Sequence, residues 1–282
     1  MAFIPLYDTN PLRNIRRPWV AWSIIAVNIA IYFVVQVGGV GVTPTNASVV
    51  SFGLVPAFFT DAIPRSIDLL DIPDTLTLFT YAFLHGDFWH LAGNMIFLWV
   101  FADNVEDALG HFRYFVFYFL CAAIAGYFFV LSDPISEAPV IGASGAVAGN
   151  IAAYVLLYPR AKVWILVLLR IPLRLRVEYA LGFWIAFQLY SAFAGGDHEI
   201  AWWAHLGGLI AGAVLVLFMR QPGVPLFAQA LPEPPHRHFW DREQAEEPAA
   251  APPEPLLEDQ EGPLEPRYLE PREQDEKPGP WR

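Results

Sequence analysis

The chain has 282 residues, of which 55% are hydrophobic and only 16% are charged, and its mean hydropathy is +0.39. This composition excludes an ordinary soluble domain of the same size and indicates a membrane protein. The formal net charge is −11, but 14 of the 28 acidic residues and only 6 of the 17 basic residues follow residue 220. The acidity therefore belongs to the C-terminal tail. A single cysteine, Cys121, excludes an intrachain disulfide and a zinc site built on thiolates.

Apolar segments suited to crossing a bilayer recur along the chain, since a spanning helix needs roughly 20 mostly apolar residues. The six candidates lie at about 18–38, 86–103, 112–132, 144–158, 178–195 and 200–219. They predict an all-α polytopic membrane protein with a six-helix bundle, in which the fourth helix is short for a full crossing. The predicted domains are a cytoplasmic N-terminal segment at 1–17, a six-helix membrane domain at 18–220 and a disordered tail at 221–282.

Basic residues predict how the bundle is oriented. Arg13, Arg16 and Arg17 precede the first segment, and five more basic residues lie within 159–177. The positive-inside rule puts both regions in the cytoplasm, so the N- and C-termini are cytoplasmic and the fourth helix begins at the outer face. This topology leads us to expect a multi-pass protein of the plasma (inner) membrane. No cleavable signal peptide is expected, because the polar start runs directly into a span-length segment.

The tail at 221–282 holds 14 of the 25 prolines and many acidic residues. Such a composition predicts a disordered extension. The alternative is that its Pro252–Pro255 stretch forms an extended polyproline helix that binds an unknown partner.

A serine set among small residues opens the fourth apolar segment. Ser144 follows Gly142 and precedes Gly145, and Gly149 lies four residues beyond Gly145. In soluble hydrolases a glycine-flanked serine often sits on a strand-to-helix elbow, but here no β-rich run precedes it. Two interpretations remain open at this point. Ser144 is a nucleophile, or the small residues only allow close packing of membrane helices.

Histidine and asparagine side chains lie in two further apolar segments, where polar groups are costly and usually functional. His90 and Asn94 are four residues apart and share one helix face. His205 lies near the start of the sixth segment. With Ser144, these groups fall within roughly 10 Å of the outer helix ends, at about 1.5 Å per residue. Hydrogen bonding for packing alone is the alternative.

A serine and a histidine at one depth suffice for nucleophilic catalysis. His205 would take the proton of Ser144 and return it to the leaving amine. The predicted spans contain no internal Asp or Glu to orient the imidazole, so a two-residue mechanism is expected. His90, Asn94 and the Ser144 backbone N–H are suitable donors to the oxyanion of a tetrahedral intermediate. Gly145 and Gly149 on the fourth helix and Gly208 and Gly212 on the sixth would let these helices approach closely.

These motifs resemble the rhomboid family of intramembrane serine proteases. The matching patterns are His90-x-x-x-Asn94, Gly142-x-Ser144-Gly145 and Ala204-His205 followed by spaced glycines, in the family's order over about 80–220. The resemblance implies a six-helix core, a Ser144–His205 dyad and an oxyanion hole formed with His90 and Asn94. It also implies cleavage of transmembrane segments of other proteins near their outer end, without a metal or cofactor. The expected partners are transmembrane substrates and the lipid bilayer, not nucleic acid.

Two positions depart from the family's pattern. Ala108 stands where some members carry an arginine that pairs with the glutamate of the preceding turn, here Glu106. Ala148 stands where some members place a tyrosine that stacks on the dyad histidine. These departures put fine positioning in doubt more than activity. The resemblance also suggests that residues 194–200 cover the site.

The sequence leaves alternatives to the protease. The main alternative is a catalytically silent rhomboid-like protein that binds transmembrane helices, which the presence of Ser144, His205, His90 and Asn94 argues against. A transporter is a more distant option, because the spans carry no internal carboxylates to relay protons. A zinc protease lacks its H-E-x-x-H helix.

Overall fold

A computed structural model describes residues 3–37, 45–64, 72–194 and 201–228. Two predictions therefore fall largely outside the described residues. These are the disordered tail at 221–282 and the loop at 194–200 that was expected to cover the site.

The described part of the chain is mostly helical. Its strands are β1 (Phe3–Asp8), β2 (Lys162–Val167) and β3 (Ile171–Arg176). Its helices are α1 (Trp19–Ala30, continued by a π-helical segment Ile31–Val37), α2 (Thr45–Phe52), α3 (Pro56–Phe59), α4 (Asp74–Thr80, followed by a 3₁₀ turn Tyr81–Phe83), α5 (Phe88–Leu109), α6 (His111–Ser132), α7 (Ser144–Leu157), α8 (Val177–Ala194) and α9 (Trp202–Met219).

Each predicted membrane segment coincides with a helix, namely α1, α5, α6, α7, α8 and α9. By length and composition, three described helical segments can cross a membrane: Trp19–Val37, His111–Ser132 and Trp202–Met219. Helix α7 is apolar but shorter, with 14 residues. Six crossings therefore stay a prediction, whereas the described residues form a mostly helical fold with three candidate spans.

A small antiparallel sheet departs from the all-α prediction. Strand β2 pairs with β1 on one side and β3 on the other, so the order is β1-β2-β3. The apolar run 163–169 is not an isolated segment. Instead it alternates buried and partly buried side chains in β2 and turns back at Leu168 and Leu169, both with positive φ. Its ladder satisfies backbone groups that an isolated segment would leave unpaired.

Helix α7 forms the centre of the bundle. Its residues from Gly145 to Tyr154 are all buried, and α6 and α9 pack against it. A helix surrounded by protein need not match the lipid thickness, which explains why an apolar helix of only 14 residues fits here. Tyr114, Phe117 and Tyr118 of α6 fill the space beside it and are fully buried.

Glu106 binds the start of α1. Its carboxylate accepts hydrogen bonds from the backbone N–H groups of Val20 and Ala21, at 3.1 and 2.7 Å, and from the ring of His111. The first N–H groups of a helix lack intrahelical acceptors, so a buried carboxylate there satisfies them. Glu106 thus has partners although Ala108 replaces the expected arginine. Gly110, with a φ of 81°, then makes the turn between α5 and α6.

Candidate active site

Several helices begin or end at the face of the bundle that carries Ser144. Helix α7 starts at Ser144 itself, and His205 is the fourth residue of α9. The carboxylate of Asp87 accepts from the N–H groups of Trp89 and His90, which defines the start of α5 by an N-terminal cap. Helix α8 runs the other way and ends at this face. The polar side chains near these helix ends therefore lie at one depth in the bundle.

Ser144 and His205 are in direct contact. Oγ of Ser144 lies 2.8 Å from Nε2 of His205. The imidazole is only 8% exposed, whereas Ser144 is partly accessible. A serine hydroxyl within hydrogen-bond reach of an imidazole is the arrangement that lets the base remove its proton during nucleophilic attack.

The contact depends on a close approach of α7 and α9. A Cβ atom added to Gly208 would lie 1.9 Å from the carbonyl oxygen of Gly145, and one added to Gly212 would lie 2.0 Å from that of Gly149. No side chain fits in such gaps, so the two backbones touch along four glycines. This approach brings the first turn of α9 beside the first residue of α7.

His90 and Asn94 face the turn that leads into Ser144. Gly142 has a φ of 122°, and a Cβ there would lie 2.8 Å from Nε2 of His90 and 3.8 Å from Nδ2 of Asn94. A side chain at Gly142 would thus displace the imidazole of His90. Because Ser144 is the first residue of α7, its backbone N–H has no intrahelical acceptor. Hydrogen-bond donors from two helices therefore lie beside the turn that precedes the serine.

Asn94 is held by a chain of hydrogen bonds that the sequence did not suggest. Its Nδ2 lies 3.1 Å from Nε2 of His85, and Gln36 binds the backbone of His85 through both its amide oxygen and nitrogen, at 2.9 and 2.8 Å. His85 lies outside the helices, and its burial, reinforced by the neighbouring His90, lowers its pKa to about 3. A neutral ring keeps a lone pair to accept from Asn94. The sequence feature that could have indicated this network is Gln36, a polar residue in an apolar helix.

The second ring nitrogen of His205 also has a partner, which the two-residue mechanism did not include. Nδ1 lies 2.8 Å from Oε1 of Gln188 on α8. The ring of Trp184 lies 6.4 Å from the imidazole, tilted by 33°, and that of Trp202 meets it edge-on at 5.9 Å. Aromatic contacts to the imidazole are thus present although Ala148 replaces the stacking tyrosine.

Comparisons with known proteins match this region of the chain. The profile of the Rhomboid domain matches residues 73–222. Rhomboid protein 1, mitochondrial, of Saccharomyces cerevisiae is 31% identical over 153 residues, which cover 51% of this chain and 41% of the yeast protein. RHOMBOID-like protein 12, mitochondrial, of Arabidopsis thaliana is 29% identical over 156 residues, which cover 49% of this chain and 44% of the plant protein. The chain thus spans less than half the length of these relatives.

Both relatives are named as mitochondrial proteins, so the predicted plasma-membrane location with cytoplasmic termini is wrong. Basic residues orient a chain relative to its membrane but do not identify that membrane. The matched domain covers more than half of the sequence and contains all of the motifs described above. The chain belongs to the rhomboid family.

Proposed function

We propose that this chain is an intramembrane serine endopeptidase that cleaves transmembrane segments of other membrane proteins. The observation that supports it best is the 2.8 Å contact between Oγ of Ser144 and Nε2 of His205. Family membership supports the same reaction class. The proposed membrane domain comprises residues 18–220, with six helices that cross the bilayer. Both relatives favour a mitochondrial membrane as the location.

In the proposed mechanism, Oγ of Ser144 attacks the scissile carbonyl while its proton moves to Nε2 of His205. Asn94, His90 and the Ser144 backbone N–H donate hydrogen bonds to the oxyanion of the tetrahedral intermediate. The C–N bond then breaks as Nε2 returns the proton to the leaving amine. Water, deprotonated by the same nitrogen, hydrolyses the acyl-enzyme and regenerates Ser144. No metal or cofactor is needed in these steps.

Substrate entry is expected from the lipid, because the proposed substrates are transmembrane segments. The substrate must present an extended segment to Ser144, since a helix keeps its carbonyls in internal hydrogen bonds. Transmembrane segments that unwind easily near the Ser144 face are therefore the expected class. Residues 221–228 are hydrogen-bonded to the helices, for example through the backbone N–H of Phe227 and the carbonyl of Leu156. Only the tail beyond residue 228 is therefore proposed to be unnecessary for this chemistry.

The test is cleavage of a transmembrane peptide by the full chain reconstituted in liposomes, together with labelling by a fluorophosphonate serine probe. We expect cleavage and labelling by the wild type and neither by Ser144→Ala. Ser132→Ala, which changes a serine at the end of α6, is the matched control and should retain both. A folded wild type that binds the peptide but neither cleaves it nor takes up label would favour the silent helix-binding alternative instead.

Asn94→Ala is expected to lower kcat by about 10²- to 10³-fold with little change in KM, because a donor to the developing oxyanion is lost. The measurement is steady-state kinetics in liposomes. Asn150→Ala provides the control, since Asn150 is equally buried but bonds to Tyr114 and the Ala146 carbonyl. If folded Asn94→Ala keeps the wild-type kcat, Asn94 has no part in the oxyanion hole.

A further inference from the structure

We infer that Gln188 of α8 is a positioning residue that sets the tautomer and orientation of His205. The inference rests on the proposed protease function and adds a third side chain to its two-residue mechanism. Gln188 is 6% exposed and lies on a helix distinct from those that carry Ser144 and His205. A buried amide in an apolar helix is costly unless its hydrogen bonds are made.

The direction of the hydrogen bond determines which ring nitrogen carries the proton. Oε1 of Gln188, 2.8 Å from Nδ1 of His205, can only accept. A proton on Nδ1 of the neutral ring matches this acceptor, and it leaves the lone pair on Nε2. That nitrogen lies 2.8 Å from Oγ of Ser144, where a general base needs its lone pair. With the opposite tautomer, Nε2 would present a hydrogen to the serine and could not remove its proton.

The Gln188 amide is also a suitable partner for His205 when its imidazole is protonated and positively charged. When Nε2 takes the serine proton, both ring nitrogens become donors, and Oε1 of Gln188 remains the acceptor for Nδ1–H. The side chain is neutral, so the resting site avoids a charge buried within the membrane domain. A carboxylate would stabilise the imidazolium more strongly but would have to be desolvated in the resting enzyme. Gln188 thus orients the base without adding a charge.

Helix α8 contacts the His205 imidazole through a second side chain, Trp184, on the same helix face as Gln188. Trp184 is one turn before Gln188, and its ring contacts both His205 and Phe97 of α5, with centroids 6.4 and 6.0 Å apart. The indole thus links α8 to the helix that carries Asn94. Correct placement of the base therefore requires α8 to be docked against α5 and α9.

The experiment compares Gln188→Met, which keeps the length of the side chain but removes the strong acceptor, with Gln188→Glu, which keeps an acceptor at the same position. We expect Gln188→Met to lower kcat and the rate of fluorophosphonate labelling by about 10- to 100-fold, with KM unchanged, as loss of one buried hydrogen bond to the base implies. Gln188→Glu should stay within about fivefold of the wild type. Ser191→Ala, a buried change one turn further along α8, is the control and should keep full activity.

Folding is checked by the thermal unfolding temperature of each variant in detergent. If Gln188→Met does not fold, Gln188→Asn replaces it, because the shorter chain withdraws the acceptor from Nδ1 and should cause the same loss. Wild-type kcat in a folded Met or Asn variant overturns the inference, as does a loss in folded Gln188→Glu equal to that in Gln188→Met. Those results would leave the protease proposal intact. That proposal fails separately if the wild type neither cleaves nor labels.

Discussion

His205→Ala is expected to lower kcat/KM for a transmembrane substrate by about 10³-fold or more and to abolish labelling by a fluorophosphonate. The imidazole is the group in contact with Oγ of Ser144, at 2.8 Å. Without it the serine keeps its proton at neutral pH and is a weak nucleophile. The imidazole also supplies the proton to the leaving amine, so both halves of the reaction slow down.

The double variant Ser144→Ala/His205→Ala separates a catalytic pair from two independently important residues. Members of a catalytic unit are strongly non-additive, because removal of one makes the other useless. The residual cleavage rate of the double variant should therefore equal that of either single variant. His111→Ala is the control, since this histidine contacts Glu106 at the opposite face of the bundle. Additive losses, or wild-type labelling by folded His205→Ala, would contradict the dyad.

Much of the site could be predicted because polar residues are rare in apolar helices. Ser144, His90, Asn94 and His205 each stand within the first two turns of a helix, so their depth follows from position alone. Gln188 is just as conspicuous, but it lies six residues before the end of α8, and its relation to His205 depends on how that helix is rotated. Sequence periodicity does not determine this rotation where a helix is apolar on all sides.

The positions of the helices could be predicted from the sequence, whereas the sheet could not. A run of about 20 apolar residues has one stable backbone conformation in a bilayer. Residues 162–176 are shorter, and in the described part of the chain β2 pairs with the adjacent β3 and with Phe3–Asp8, about 160 residues away in sequence. The pairing of β1 with β2 is non-local, so no property of the local sequence requires it. The role of Glu106 at the start of α1 was hidden in the same way.

The glycines between α7 and α9 should be the positions where a single methyl group does the most damage to the fold. Added Cβ atoms at Gly208 and Gly212 would lie 1.9 and 2.0 Å from backbone oxygens of Gly145 and Gly149. A backbone cannot rotate away as a side chain can, so the helices must separate by an ångström or more. We expect Gly208→Ala and Gly212→Ala each to destabilise the fold by about 3 kcal/mol or more and to suppress labelling of Ser144.

Gly182→Ala is the matched control for these two variants, because a Cβ at Gly182 of α8 would meet no atom within 4 Å. In a helix interior alanine is more favourable than glycine by about 1 kcal/mol, so the Gly182→Ala variant should be at least as stable as the wild type. The measurement is thermal unfolding in detergent, followed by labelling at a temperature where each variant is folded. Destabilised but still folded Gly208→Ala should label slowly, since the 2.8 Å contact between Oγ of Ser144 and Nε2 of His205 depends on the same separation. Unchanged unfolding temperatures for both α9 variants would mean that α7 and α9 pack less closely than these distances require.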